Sequence, residues 1–298
     1  MTYRLSGKDA PFDFGSIEVL LHKKTKHLEI ILPEHFCPQM LFELETLLSW
    51  SADKAEIHAL LLRPKGESFP SSLPLGEFQT IPLEKLQTLL ERIRKLVVGM
   101  FYLPQTVFMD LGLGCSDLGA ELCLGADLRI ASTGAHLHWS HLGLGRSPCS
   151  GGSGILPLLV GDATARKWVL GGESLETHDL VSAGFLLSTY GDEREAAPLM
   201  QGHVLRHVCA QASVARIQTK RAFLEHIMTF LDKAQEIENK ISAPALMAED
   251  YKDQGQGFGP GSDKTFCSPK DFGAKLKKAL SRKDSEGQKK QMGRISYS

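Results

Sequence analysis

Apolar residues recur in two different periods near the start of the chain. Two runs of β-forming residues, Ser16–His22 and His27–Leu32, flank a basic turn at Lys23–Lys26, and this arrangement predicts a β-hairpin. Pro38 then begins a stretch with helical periodicity, since proline is favoured in the first turn of a helix. The apolar residues on one face of this predicted helix are Met40, Leu41, Leu44, Leu47 and Leu48.

The next segments alternate between predicted strands and a predicted helix. Ile57–Arg63 and Thr106–Met109 are short apolar runs of the kind found in buried strands. Between them, Pro82 starts a strongly amphipathic stretch, and we expect a long helix there. Strand, helix and strand in succession are typical of an α/β domain.

The pattern changes twice toward the C-terminus. From Glu193 onward it is helical, until the glycine-rich segment Asp253–Gly261, which cannot continue a helix. The remaining residues are rich in lysine and arginine, and we expect a disordered tail that is either simply solvated or in contact with an anionic partner. We therefore divide the chain into a core at 1–192, a helical region at 193–252, and a linker with a basic tail at 253–298.

Composition and charge exclude several classes of protein. A formal net charge of -1 and a pI near 6.8 give no reason to expect nucleic acid or an anionic membrane as a partner. The N-terminal segment Met1–Asp13 is polar, unlike a signal peptide, and no run of about 18 apolar residues is present. The six cysteines form no CxxC pair, which suits reduced thiols. We expect a soluble, cytoplasmic protein.

Three neighbouring histidines, His136, His138 and His141, raise the question of a metal site. Strand alternation would place His136 and His138 on one side of a strand. No nearby carboxylate or cysteine completes a ligand set, however, and we predict no metal.

One carboxylate stands in the most apolar stretch of the chain. Leu118–Ala126 contains only apolar or small residues apart from Glu121, and Asp117 before it is a good helix N-cap. We therefore expect Glu121 in the first turn of a buried helix, with a pKa raised toward the range useful for proton transfer. A structural role remains open, in which Glu121 caps the helix or pairs with Arg129.

These residues resemble a known family pattern. Glu121-Leu122, followed by Asp127-Leu128-Arg129-Ile130-Ala131, is similar to the motif of the enoyl-CoA hydratase/isomerase (crotonase) family. The similarity continues in register over roughly Thr106–Thr189. Its further elements are Ala135-His136-Leu137, Leu142-Gly143-Leu144-Gly145, Pro148-Cys149-Ser150-Gly151-Gly152, Val160-Gly161, Ala165, Leu170-Gly171-Gly172 and Ala183-Gly184.

The resemblance implies an α/β fold, a crotonase-like spiral of ββα units with a C-terminal helical region that mediates assembly into a homotrimer or hexamer. It implies an acyl-CoA or acyl-carrier thioester as substrate, with coenzyme A as part of that substrate and no separate cofactor. The backbone N–H groups of Leu73 and Leu118, with Gly119 beside the latter, would stabilise an enolate oxyanion. Glu121 would act as the acid/base, and Arg63 and Lys65 would lie near the CoA.

Three positions depart from the family pattern, and the first is Ser72-Leu73-Pro74, where the family often has Gly-Ala-Asp. Where hydratases carry a second glutamate, this sequence has His141, which can transfer protons near neutral pH. Where the family has glycines before the helix, Asp117 would place a negative charge near the oxyanion unless its side chain turns away as a cap. The alternative to a lyase or isomerase is therefore a catalytically inactive member that serves as a structural or binding partner.

Overall fold

The computed structural model describes residues 2–6, 10–71, 81–193 and 195–247. Within these ranges, strands and helices alternate up to residue 190, and two helices follow. The strands are β1 (Thr2–Arg4), β2 (Glu18–His22), β3 (His27–Leu32), β4 (Ala59–Pro64), β5 (Thr106–Asp110), β6 (Gly114–Ser116), β7 (Leu128–Ser132), β8 (His136–His138), β9 (Ser174–Glu176) and β10 (Ser188–Tyr190). The helices are α1 (Pro38–Ala52), α2 (Leu83–Tyr102), α3 (Leu118–Leu122), α4 (Ile155–Val160), α5 (Asp162–Gly171), α6 (Thr177–Ser182), α7 (Ala196–Ala210) and α8 (Ser213–Met247).

Seven strands form the larger sheet, in the order β1-β2-β3-β4-β5-β7-β10. Strand β2 is antiparallel to both β1 and β3, and β3, β4, β5, β7 and β10 run parallel. The predicted hairpin is confirmed, with Glu18 opposite Ile31 and His22 opposite His27. The α/β fold class with a C-terminal helical region is also confirmed.

The parallel part of this sheet is buried on both faces. Leu60 and Leu62 of β4 belong to the main core, together with α1 and α2. Leu61, between them, points to the opposite face, where it clusters with Val204 and Leu205 of α7. Burial on both faces explains why these strands are continuous apolar runs rather than alternating ones.

The start of one strand differs slightly from its sequence prediction. The strand expected to begin at Ile57 begins at Ala59, because the Ile57 N–H still donates to the Lys54 carbonyl in the turn after α1 (3.0 Å). The helix expected from Pro82 is confirmed as α2, with Pro82 at its N-cap position. The predicted linker and tail at 253–298 lie outside the described residues.

A smaller sheet of three strands, in the order β6-β8-β9, holds the segments that carry the candidate chemistry. Gly114 of β6 has a φ of +106°, and a Cβ there would lie 1.9 Å from the His136 carbonyl oxygen. Only glycine allows this approach of β6 to β8. None of the described helices is long and apolar enough to cross a membrane.

Candidate active site

Two adjacent parallel strands deliver the first two site residues. Strand β6 pairs with β8, with Ser116 opposite His138, so the residues that follow both strands emerge at the same edge of the sheet. Asp117 follows β6, and its backbone N–H donates to the His138 carbonyl at 3.0 Å. His141 follows β8. Strand pairing therefore brings together two side chains from different motifs.

Glu121 lies in α3, and its side chain is fully buried. The segment at residues 148–154, called here the 148–154 loop, binds one of its oxygens through backbone N–H groups. Cys149 N and Ser150 N both donate to Glu121 Oε1 at 2.8 Å, and Gly152 N donates to it at 3.4 Å. This oxygen is therefore saturated with donors, and the loop fixes the orientation of the carboxylate.

The second oxygen of Glu121 faces titratable side chains. Glu121 Oε2 lies 3.3 Å from His141 Nε2, and the Cys149 thiol donates to the same oxygen at 3.7 Å. The predicted burial of Glu121 is thus confirmed, and the carboxylate lies next to His141. Oε2 is the oxygen of this carboxylate that is placed to exchange a proton.

His141 lies between two carboxylates and is itself buried. Its Nε2 is 3.2 Å from Asp117 Oδ1 and 3.3 Å from Glu121 Oε2. Burial opposes a charge on the ring, but the attraction of Asp117 and Glu121 outweighs it and raises the pKa of His141. The imidazolium form is therefore stabilised between the two anions.

The sequence prediction of a raised pKa at Glu121 is wrong. Burial does act to raise the pKa of Glu121, but the charge of His141, its hydrogen bond and the Ser150 N–H outweigh burial and lower it. The alternative partner Arg129 is not involved, because its guanidinium donates to the carbonyls of Cys123, Ala126 and Phe185. Glu121 is thus a carboxylate held in its ionised form.

Asp117 occupies the N-cap position of α3 but does not cap the helix, so that sequence prediction is wrong as well. Its φ of 52° and ψ of -118° leave its side chain without a capping hydrogen bond. The carboxylate instead forms a buried ion pair with Arg146, in addition to its contact with His141. Arg146 therefore neutralises the charge that Asp117 would otherwise bring to the site.

One of the two predicted oxyanion positions lies at the start of α3. Leu118 is its first residue and is fully buried. A Cβ on Gly119 would lie 1.9 Å from the Pro70 carbonyl oxygen, so only glycine allows the segment around Pro70 to reach α3. Leu73 lies outside the described residues. The oxyanion roles of Leu73 and Leu118 stay predictions.

A cavity of about 610 Å³ lies beside β6 and β8, but Asp117, Glu121 and His141 are not among its lining residues. It is lined by residues of the 66–71 segment, β6 and β8, and among them is Ser116, the chain neighbour of Asp117. Arg63 and Lys65, the predicted CoA contacts, are not among its lining residues. The Arg63 guanidinium donates to Glu29 at 2.6 Å, and Lys65 is exposed. Contact of either residue with CoA stays a prediction.

The three histidines of the sequence do not converge on one point. His138 Nε2 lies 2.9 Å from the Gly172 carbonyl oxygen, and His136 is exposed at the cavity. Within the described ranges, no group of three His, Cys, Asp or Glu side chains could hold a metal ion.

Sequence reasoning missed three contributors to the site. Arg146 gave a weak signal, since it is a lone cation within the largely apolar turn that follows His141. The backbone donors of the 148–154 loop were expected only as part of a family motif. Glu238, whose carboxylate binds the same loop, gave no signal, because it is one of many charged residues in α8.

Comparison with known proteins places this geometry in context. No family model matches the chain. The Bacillus subtilis protein YhaR, named as an enoyl-CoA hydratase/isomerase, is 24% identical over 225 residues, which cover 74% of this chain and 85% of YhaR. The 1,2-epoxyphenylacetyl-CoA isomerase of Escherichia coli is 27% identical over 206 residues, which cover 68% of this chain and 78% of that protein.

Solved structures agree in fold. An enoyl-CoA hydratase from Bacillus halodurans has a TM-score of 0.74 at 17% identity, covering 80% of this chain and 98% of its own. Another, from Mycobacterium avium subsp. paratuberculosis, has a TM-score of 0.73 at 19% identity, covering 83% of this chain and all of its own. The sequence relatives, the shared fold and the motifs around Glu121 agree: the chain has the crotonase fold and is similar, at low identity, to proteins named as enoyl-CoA hydratases and isomerases.

Proposed function

We propose that the protein is an acyl-CoA or acyl-carrier thioester lyase or isomerase of the enoyl-CoA hydratase type, acting through an enolate. One observation carries the proposal: Glu121 Oε2 and His141 Nε2 lie 3.3 Å apart, with the pKa of the carboxylate lowered and that of the imidazole raised. A base and an acid of opposite charge are the pair that proton transfer at carbon requires. The names of the relatives support the same reaction class.

In this mechanism Glu121 accepts a proton from the carbon next to the thioester carbonyl, and the electron pair of the broken C–H bond forms the enolate. The backbone N–H groups of Leu73 and Leu118 are proposed to stabilise the enolate oxygen. The 148–154 loop keeps Glu121 Oε1 fixed, so Oε2 takes the proton. His141 then supplies a proton to the product carbon or oxygen, or orients the group that does.

Asp117 and Arg146 have a positioning role in the proposal. Asp117 Oδ1 lies 3.2 Å from the same His141 nitrogen that faces Glu121, so it holds the imidazole charged and in place. Arg146 balances Asp117, which limits the repulsion between that anion and an enolate. With Arg146 as its partner, the negative charge of Asp117 no longer argues against an oxyanion in this site.

The test compares two buried carboxylates. Glu121→Gln should lower turnover of crotonyl-, 3-hydroxyacyl- or malonyl-type thioesters by about 10²–10⁴-fold, because glutamine keeps the shape but cannot carry a proton. Glu43→Gln is the matched control. Glu43 is also fully buried and also binds backbone N–H groups, those of Gly15, Ser16 and Ile17, but the described residues place no histidine against it. Glu43→Gln should leave turnover per folded molecule unchanged.

A second candidate function is a catalytically inactive member that binds a thioester or a protein partner. The site residues favour this function because they are all buried and already paired with one another. They are Asp117, Glu121, His141 and Arg146. In that case the wild type would bind thioesters, seen as a raised melting temperature. It would not turn them over, and Glu121→Gln would change neither property.

We also propose a homotrimeric or hexameric assembly through the C-terminal helices. Val214, Phe223 and Phe230 of α8 are all more than half exposed, which is unusual for large apolar side chains of one helix. Light scattering that finds a monomer at micromolar concentration would exclude this assembly.

A further inference from the structure

The 148–154 loop binds two carboxylates through backbone N–H groups that point in two directions. Cys149, Ser150 and Gly152 donate to Glu121, as described above. The interleaved residues donate to Glu238 of α8: Gly151 N to Oε2 at 2.9 Å, and Ser153 N to Oε1 at 3.1 Å. The loop is therefore held between the candidate base on one side and the C-terminal helix on the other.

Both carboxylate oxygens of Glu238 accept hydrogen bonds from the loop. The Ser153 hydroxyl adds a third hydrogen bond, donated to Glu238 Oε1 at 2.6 Å, and Glu238 is buried. Three donors on one buried carboxylate are a specific arrangement rather than a chance contact. Because neighbouring residues of the loop bind Glu121 and Glu238 in turn, a shift of the loop away from one carboxylate also distorts its hydrogen bonds to the other.

Helix α8 approaches this loop too closely to shift while the loop stays in place. A Cβ on Gly154 would lie 2.1 Å from the Ala234 Cβ, and Ala234 is one helical turn before Glu238. Leu231, a further turn toward the N-terminus of the helix, is buried in the main core. The face of α8 that carries Glu238 is therefore docked on the loop by packing as well as by hydrogen bonds.

We propose that Glu238 is a positioning residue: it holds the 148–154 loop in the conformation that fixes Glu121, and so makes the geometry of the candidate site depend on the docking of α8. The positioning of the loop stands on its own contacts, and only its effect on catalysis rests on the function proposed above. Glu238 touches no reacting atom in this proposal and acts through the loop alone.

The charged groups around Glu238 set its pKa, and hence the pH at which its hydrogen bonds to the 148–154 loop are strongest. Burial first, and then the charge of Glu121 across the loop, raise the pKa of Glu238 to about 7. On α2, Arg94 faces the same loop and donates to the Cys149 carbonyl at 3.3 Å, and His141 and Arg146 lie beyond Glu121. On α8 itself, Lys233 and Lys240 pair with the exposed Glu236.

The sign of this pH dependence follows from the hydrogen bonds. Only the ionised carboxylate accepts from all its donors, so the loop should be held most firmly above about pH 7, where Glu238 is charged. The same raised pKa means that ionised Glu238 is costly to bury. Global stability should therefore fall as pH rises through that value, while the loop itself tightens.

The experiment measures hydrogen exchange of the loop amides in wild type, Glu238→Gln and the control Glu236→Gln. At about pH 8, Glu238→Gln should speed exchange of the Cys149–Ser153 amides by about 5- to 100-fold, because glutamine offers one acceptor oxygen in place of two. Glu236→Gln, on the exposed side of the same helix, should leave these amides unchanged. At about pH 6, where wild-type Glu238 is largely protonated, wild type and Glu238→Gln should converge.

Turnover provides an independent reading of the consequence for Glu121. If the proposed function holds, Glu238→Gln should lower kcat several-fold with KM unchanged, since the substrate contacts are intact while the base is less well oriented. Unchanged loop exchange in Glu238→Gln would overturn the proposal, whatever the activity. A wild type without turnover would overturn the proposed function alone, because the exchange measurement would still decide whether Glu238 positions the loop.

Discussion

Glu43 and Glu121 are two buried carboxylates held in the same way in different parts of the molecule. Glu43, on α1, accepts N–H groups from Gly15, Ser16 and Ile17, and the Gln39 amide at 2.8 Å. Glu121, on α3, accepts N–H groups from the 148–154 loop. Burial is overcome in both cases and the pKa of the carboxyl is lowered, by hydrogen bonds at Glu43, and at Glu121 by the charge of His141 first and then by hydrogen bonds. A backbone cradle is therefore not by itself a sign of catalysis.

The difference lies in what faces the remaining oxygen. Around Glu43 the described contacts are amides, which do not titrate in the physiological range. The second oxygen of Glu121 contacts His141, which also contacts Asp117, and Asp117 is paired with Arg146. The first arrangement ties a loop to a helix, whereas the second also has a proton acceptor and a proton donor in contact. This contrast is the basis of the proposed function.

The largest expected effect tests the buried ion pairs of the Glu121 region, for which the described surroundings of Glu43 show no counterpart. Arg146→Met should lower the free energy of unfolding by about 3–5 kcal/mol, because it removes the guanidinium of a buried ion pair and leaves the charge of Asp117 less well balanced. Chemical denaturation measures the change. Combining it with Asp117→Asn should recover much of the loss, and a double variant as unstable as the single one would show that Arg146 stabilises the fold by other contacts.

A smaller loss of stability is expected when the buried carboxylate of Glu43 is removed. Glu43→Ala should lower the free energy of unfolding by about 1–3 kcal/mol, since it removes the acceptor for the N–H groups of Gly15 to Ile17. Turnover per folded molecule should not change. If activity falls in parallel with that of the Glu121 variants, the two cradles are not functionally distinct and the comparison fails.

The smallest effect is a pH dependence of stability that His141 should produce and Glu43 should not. The folded state raises the pKa of His141 above its ordinary value of about 6.5, so its stabilisation is complete below that pH and is lost as pH rises through the folded pKa. The difference in unfolding free energy between wild type and His141→Gln should therefore shrink between neutral and alkaline pH. Glu43→Gln should show no such change in this range, and a flat His141 difference would mean that the imidazole is neutral in the fold.

Local patterns were sufficient to predict much of the fold. The alternation in Ser16–Leu32 predicted the hairpin, and the amphipathic stretch after Pro82 predicted α2. The apolar surroundings of Glu121 correctly predicted its burial, since a lone carboxylate among such residues cannot reach water. These predictions depend on residues close together in sequence.

The charge state of the site could not be predicted in this way, because it depends on contacts between distant segments. The pKa of Glu121 is lowered by a histidine on another strand end and by a loop that follows it. The side chain of Asp117 turns to Arg146 rather than capping α3, and nothing local to Asp117 indicates that partner. The contact of Glu238 with the 148–154 loop depends on how α8 packs against the core, and this packing cannot be read from the residues around Glu238 in the sequence.

The most direct test of the central claim is the exchange of the proton that Glu121 is proposed to remove. In deuterated buffer, wild type should exchange the hydrogens on the carbon next to the thioester carbonyl of a saturated acyl-CoA, whichever overall reaction it catalyses. Glu121→Gln should slow that exchange by about 10²–10⁴-fold, and Glu43→Gln should exchange as fast as wild type. Equal exchange in wild type and Glu121→Gln, or none in wild type while the thioester is bound, would contradict the account.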